Sequence, residues 1–77
     1  MEVKVLSFGN IAEYVSPHTL EVFEGTTLKE LRQIFFNKYP ALIHIPFSIA
    51  VDKVIRDEAY IIVDFSEVAL LPPFSGG

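Results

Sequence analysis

Glu67-Val68-Ala69-Leu70-Leu71-Pro72-Pro73 is the stretch on which the fold turns. Its first five residues read as a strand with two apolar faces, Val68 and Leu70 on one side and Ala69 and Leu71 on the other. A proline cannot donate to a sheet ladder, so Pro72 ends the strand, and Pro73 keeps the chain extended. Phe74-Ser75-Gly76-Gly77 follow. From Pro72 onward this tail spans roughly 20 Å at full extension. A stiff base, a slender tip and a carboxylate suit entry into a narrow channel of another protein. A terminal Gly-Gly arises by chance in about one chain in 200, and a flexible linker would not begin with Pro-Pro.

Working outward, residues 3–8 alternate as a strand, with Val3 and Val5 on one side and Lys4, Leu6 and Phe8 on the other. Gly9-Asn10 breaks it, and Ser16-Pro17-His18 carries turn chemistry. Residues 19–23 read as a second strand with Leu20 and Val22 inward. Thr27-Leu28-Lys29-Glu30 has the spacing of a capping box, the threonine capping a helix start while Glu30 reaches back. Leu28, Leu31, Ile34, Phe35 and Tyr39 then recur at helical spacing as one buried stripe, and Pro40 ends the helix near Lys38 or Tyr39. Residues 41–46 are an apolar connection. Phe47, Ile49 and Val51 alternate with Ser48, Ala50 and Asp52 as a third strand, and Asp52-Lys53 turns into a brief Val54-Ile55. The apolar run Tyr60-Ile61-Ile62-Val63 has no period that decides its type, and Asp64-Phe65-Ser66 turns the chain into the last strand.

Two strands, a helix, then two or three strands predict an α+β domain with one main helix on one face of a mixed sheet of four to five strands. With the first and last strands adjacent and parallel in the middle, that order is the ubiquitin-like β-grasp. The expected division is a domain over residues 1–71 and an extended tail over residues 72–77. If Val3, Val5, Val68 and Leu70 face the helix, Leu6, Phe8, Ala69 and Leu71 face away, where no second helix covers them. Contiguous exposed apolar surface of this kind marks a partner site.

The 77 residues make one small domain, enough to fold without staples. There is no cysteine, so neither a disulfide nor a thiolate metal site supports the fold, and any sulfur handled cannot ride on a thiol of this chain. Ten acidic against six basic residues give a net charge of −4, which lacks the basic footprint that nucleic acid requires. The longest nearly uncharged apolar stretch, residues 39–51, is too short to span a bilayer and holds two prolines. The start carries no signal-peptide pattern, and the expected address is the cytoplasm.

The domain shows no catalytic constellation. His18 and His44 have no sequence reason to converge; Asp57-Glu58 and the Asp64/Glu67 pair lie in turns; Ser7, Ser16 and Ser66 lack a histidine at a meaningful position. Gly9 and Gly25 are isolated and read as strand ends rather than a phosphate loop. No bound cofactor or metal is expected. The remaining reactive group is the Gly77 carboxylate, ionised and inert at neutral pH until another enzyme activates it, for instance as an acyl-adenylate. Two glycines without Cβ atoms let such a tip thread a tunnel.

Val3-Lys4-Val5-Leu6, Thr27-Leu28-Lys29-Glu30-Leu31 and above all residues 67–77 resemble the small subunit of molybdopterin synthase, essentially end to end. Thiamine-pathway sulfur carriers and ubiquitin-related modifiers share the terminal Gly-Gly but typically lack this Val-Ala-x-x-Pro-Pro approach. The resemblance implies a sulfur-donating subunit of a two-subunit sulfurtransferase, with no catalytic site of its own. The Gly77 carboxylate would be adenylated by an ATP-using, ubiquitin-activating-like adenylyltransferase and converted to a thiocarboxylate. The tail would then enter the large subunit, where sulfur passes to a pterin precursor of the molybdenum cofactor. On this resemblance Gly77 and Gly76 carry the chemistry, and Phe8, Leu71, Pro72, Pro73, Phe74 and Ser75 contact the partner. The chain departs from the family in three places. The turn before the last strand is Asp64-Phe65-Ser66-Glu67, without glycine; Ala12-Glu13-Tyr14-Val15 lacks a basic residue; and Asp52 stands where asparagine is common. A carrier for thiamine or tRNA thiolation, a protein modifier conjugated through Gly77, and a binding module with an incidental Gly-Gly are the competing readings.

Overall fold

The helix start forms as its spacing predicts. In the computed structural model, which describes residues 1–73, the Thr27 hydroxyl accepts from the Glu30 amide at 3.2 Å, and the Glu30 carboxylate accepts from the Thr27 amide at 2.9 Å. The helix α1 runs Leu28–Lys38 and stops at Tyr39, before Pro40. Two further amides of its first turn, which have no partner inside a helix, find carbonyls elsewhere: Leu28 donates to Tyr60 at 3.0 Å and Lys29 to Glu58 at 3.0 Å. Thr27→Ala should therefore cost about 0.5–2 kcal/mol, read as a lowered midpoint in urea unfolding. The bonds from the Thr27 backbone amide, and secondarily its hydroxyl, hold the Glu30 carboxyl below the usual glutamate range. Because that pKa is lowered, the cap's contribution is complete above the ordinary glutamate range and fades as pH falls through the lowered value.

Five strands form one sheet: β1 (Glu2–Ser7), β2 (His18–Glu21), β3 (Ser48–Val51), β4 (Val54–Ile55) and β5 (Glu67–Leu71). Their order is β2-β1-β5-β3-β4, with β1 and β5 parallel at the centre and every other pair antiparallel. Strand alternation supplies the core. Val3, Val5, Val68 and Leu70 are fully buried on the helix side with Leu28, Leu31 and Phe35 of α1, while Ile34 and Tyr39 pack at the margin. The β3–β4 hairpin turns on Asp52 and Lys53, both at positive φ (48° and 72°), as a two-residue hairpin loop demands. Asp52 also ties this turn to the start of β5. Its amide donates to the Glu67 carbonyl at 2.8 Å, and its carboxylate accepts from the Glu67 amide at 2.9 Å.

Three segments take forms that periodicity does not announce. Gly9–Glu13 does not simply break the first strand; it winds into a 3-10 turn that buries Ile11. Pro40–His44, read as plain connection, is a second 3-10 turn burying Leu42. Residues 60–63 are not a strand of the sheet. They make a single antiparallel bridge, Ile61 opposite Thr27, and the Ile62 amide donates to the Thr26 carbonyl at 2.9 Å, so the run clamps the helix start and buries Ile62. Among the described residues no helix is long and apolar enough to cross a membrane.

Candidate functional site

The base of the tail is built from the centre of the sheet. β5 lies between β1 and β3, paired along both edges, and runs through Leu71 directly into Pro72. The Phe8 amide extends the parallel ladder by donating to the Leu70 carbonyl at 3.1 Å. Next to it, Gly9 adopts φ +61°, and a Cβ there would lie 2.9 Å from Cγ of Pro72. The glycine is thus required twice over: for a left-handed backbone and for the close approach of a rigid ring. Gly9→Ala should destabilise the fold by about 1–2 kcal/mol from the left-handed strain alone and should also displace Pro72. Chemical denaturation reads the first effect, and proton shifts of Pro72 read the second.

Around this base the sheet face turned away from α1 is apolar and open. Phe8 is 47% exposed, Leu6, Ala69 and Leu71 are half-buried, and Pro73 is exposed. The two-faced alternation puts Phe8 and Leu71 on this face, and Pro72 follows directly on Leu71. A hollow of about 400 Å3 opens on this face, walled by Leu6, Phe8, Ile55 and Leu71. The sequence reading did not find Gly9's role or the hollow, since both depend on which residues stand opposite in neighbouring strands. The expectations placed on Phe74, Ser75, Gly76 and Gly77 lie outside the described residues.

Of the remaining candidates for chemistry, Glu67 lines the hollow, while His18, Ser66 and Ser7 are held in other contacts. The His18 Nδ1 lies 2.8 Å from the Ser16 carbonyl, and its ring stands edge-on to Tyr39 with centroids 6.4 Å apart, a packing arrangement. Ser66 is buried with its hydroxyl donating to the Val63 carbonyl at 2.6 Å, and the Ser7 hydroxyl donates to the Val15 carbonyl. Both serve local backbone geometry. Among the described residues no three histidine, aspartate or glutamate side chains gather in a metal-binding arrangement.

A mixed five-stranded sheet with a parallel central pair and one helix laid across it is the ubiquitin-like β-grasp. Within that class residues 5–77 match the ThiS family, and the chain belongs to it. A molybdopterin synthase sulfur carrier subunit of Caenorhabditis briggsae is 37% identical, the alignment covering 100% of this chain and 99% of that one. Among solved structures, a chain from the complex of subunits 1 and 2 of the molybdopterin-converting factor of Helicobacter pylori superposes with a TM-score of 0.72 at 28% identity, with both chains fully covered. The small archaeal modifier protein 1 of Haloferax volcanii superposes with a TM-score of 0.81 at 15% identity, covering 95% of this chain and 98% of that one, a likeness of fold.

Proposed function

We propose that this chain is the sulfur carrier subunit of a molybdopterin synthase, bearing sulfur as a thiocarboxylate on Gly77. The observation that carries the reading is the tail base. A central strand, paired on both sides, leads straight into Pro72-Pro73 in a chain that matches a molybdopterin synthase sulfur carrier subunit over its whole length. The fold contributes rigidity and a docking face; the reacting group is the carboxylate. An activating enzyme of the adenylyltransferase class, acting in the cytoplasm, would join that carboxylate to the α-phosphate of ATP and release pyrophosphate. A sulfur nucleophile would then displace AMP, leaving one sulfur where an oxygen stood. The large synthase subunit, received on the Phe8–Leu71 face, would take the tip and pass the sulfur to a pterin precursor, and water would supply the oxygen that returns the carboxylate. ATP belongs to the activating enzyme and is not a resident cofactor of this chain.

The testing experiment is mass spectrometry of the intact chain after incubation with an activating enzyme, ATP and a sulfur source. The expected result is a gain equal to one oxygen-to-sulfur exchange, localised to Gly77. A chain that acquires no sulfur but accumulates on lysines of other proteins would replace the carrier reading with that of a modifier. No particular feature favours the modifier now, because the likeness to the archaeal modifier is one of fold.

A further inference from the structure

The strand register sets four residues in one row across the outer face of the sheet. Leu6 on β1 stands opposite Ala69 on β5, Ala69 opposite Ala50 on β3, and Ala50 opposite Ile55 on β4. Directly opposed residues share a face, so the row reads large, small, small, large. The two alanines form the floor of the hollow and the two aliphatic side chains its flanks. Ala50 is 4% exposed although it points away from the helix core, which reflects how far it lies below its neighbours. Leu71 and Phe8 close the end towards the tail, and Lys53 and Glu67 bring opposite charges to the other end.

This pairing runs against what a sheet would select for stability. Alanine is depleted in strands, while valine, isoleucine and threonine suit a pleated surface. Two facing alanines at the middle of the sheet give up cross-strand packing that larger residues would supply. Rule-breaking of this kind, with no gain inside the fold, is expected where a surface serves a partner.

The position of the hollow says which partner. Ala69 precedes Pro72 by three residues, about 10 Å along an extended chain. A standard interface covers about 800 Å2 on each side, a disc roughly 16 Å in radius. A protein that grips the tail at its base therefore also covers the hollow. We propose that the floor formed by Ala50 and Ala69 receives one bulky apolar side chain, of the size of leucine, methionine or phenylalanine, from the large subunit that takes the tail. Charged groups beside that side chain would meet Lys53 and Glu67. The alanines then determine specificity by being small, and they anchor the docked complex at a point separate from the tail. This inference rests on the sulfur carrier reading for the identity of the partner.

The test fills the hollow from this side. Ala69→Leu and Ala69→Val are compared with the wild-type chain in calorimetric titrations against the large molybdopterin synthase subunit of the same organism. Both variants should keep an unfolding midpoint at or above that of the wild type, since Ala69 is half-exposed and the added groups cover apolar neighbours. Ala69→Leu should weaken association about 30-fold or more, the loss expected on blocking an anchor pocket. Ala69→Val should fall between. Phe23→Ala, which alters an exposed residue at the far end of the sheet, should bind as the wild type does. Wild-type affinity in a folded Ala69→Leu chain overturns the inference while leaving the carrier reading in place. Should Ala69→Leu fail to fold, Ala69→Val carries the decision by the same comparison. A wild-type chain that does not bind the large subunit at all overturns the carrier reading, and the inference with it.

Discussion

Deleting Gly77 should leave the unfolding midpoint of the domain unchanged and abolish its loading with sulfur. The two expectations come from different parts of the chain. The buried core extends from Val3 to Leu70, and the last residue of the sheet is Leu71. Removing Gly77 takes away none of these, so stability should stay within about 0.5 kcal/mol, the usual range for changes away from packed features. The chemistry is exposed to the deletion in full. Shortening an extended chain by one residue draws its carboxylate back by about 3.3–3.6 Å, where misplacements of about 1 Å already cost on the order of 100-fold in rate. Adding a bulky residue after Gly77 should act in the same way, because the carboxylate is moved and the glycine tip no longer ends in a form without a Cβ. Mass spectrometry should show no oxygen-to-sulfur exchange in either variant, and reconstituted synthase should make no product. Full synthase activity from a chain lacking Gly77 would overturn the carrier reading whatever the fold.

The elements legible in the sequence are those governed by short-range rules. The capping box from Thr27 to Glu30 forms as spaced, the stripe of Leu28, Leu31 and Phe35 is buried, and the period-2 alternation in β1 and β5 sends Val3, Val5, Val68 and Leu70 to the helix. Each follows from residues within a turn or two of one another. The features that escaped the sequence depend on pairings across the chain. Gly9 read as a strand end because nothing near it announces that Pro72, 63 positions later, will press against it. Residues 60–63 carried an apolar run without a period because their partner is the first turn of α1 and not a strand. Ala69 was legible as part of an open apolar face, but its depth is a matter of register with Ala50, which no local pattern encodes. Phe65 shows how far a local expectation can be overruled. It holds φ +61° in the turn before β5, where glycine is the usual residue, and its amide donates to the Glu2 carbonyl at 2.8 Å.

Replacing Phe8 or Leu71 by aspartate should disrupt docking far more than folding. Both residues lie on the outer face beside the tail base, Phe8 about half exposed and Leu71 half-buried as the last residue of β5. Neither belongs to the packed core against α1, and the backbone bond from Phe8 to Leu70 survives a change of side chain. Loss of strand preference and of partial burial should therefore cost about 1 kcal/mol or less in the isolated domain. In the complex the same substitutions remove an apolar anchor and place an unpaired carboxylate where a partner excludes water. Truncating such an anchor costs about 2 kcal/mol or more, and the buried charge adds to it, so affinity for the large subunit should fall at least about 30-fold. Loading by the activating enzyme should drop as well if that enzyme uses the same face, and should persist if it holds the tail alone. Thermal unfolding and calorimetric titration of the two variants separate the terms. Variants that unfold the isolated domain would make Phe8 and Leu71 core residues and reverse the assignment of faces. Variants that fold and bind at wild-type strength would leave the tail as the sole point of attachment.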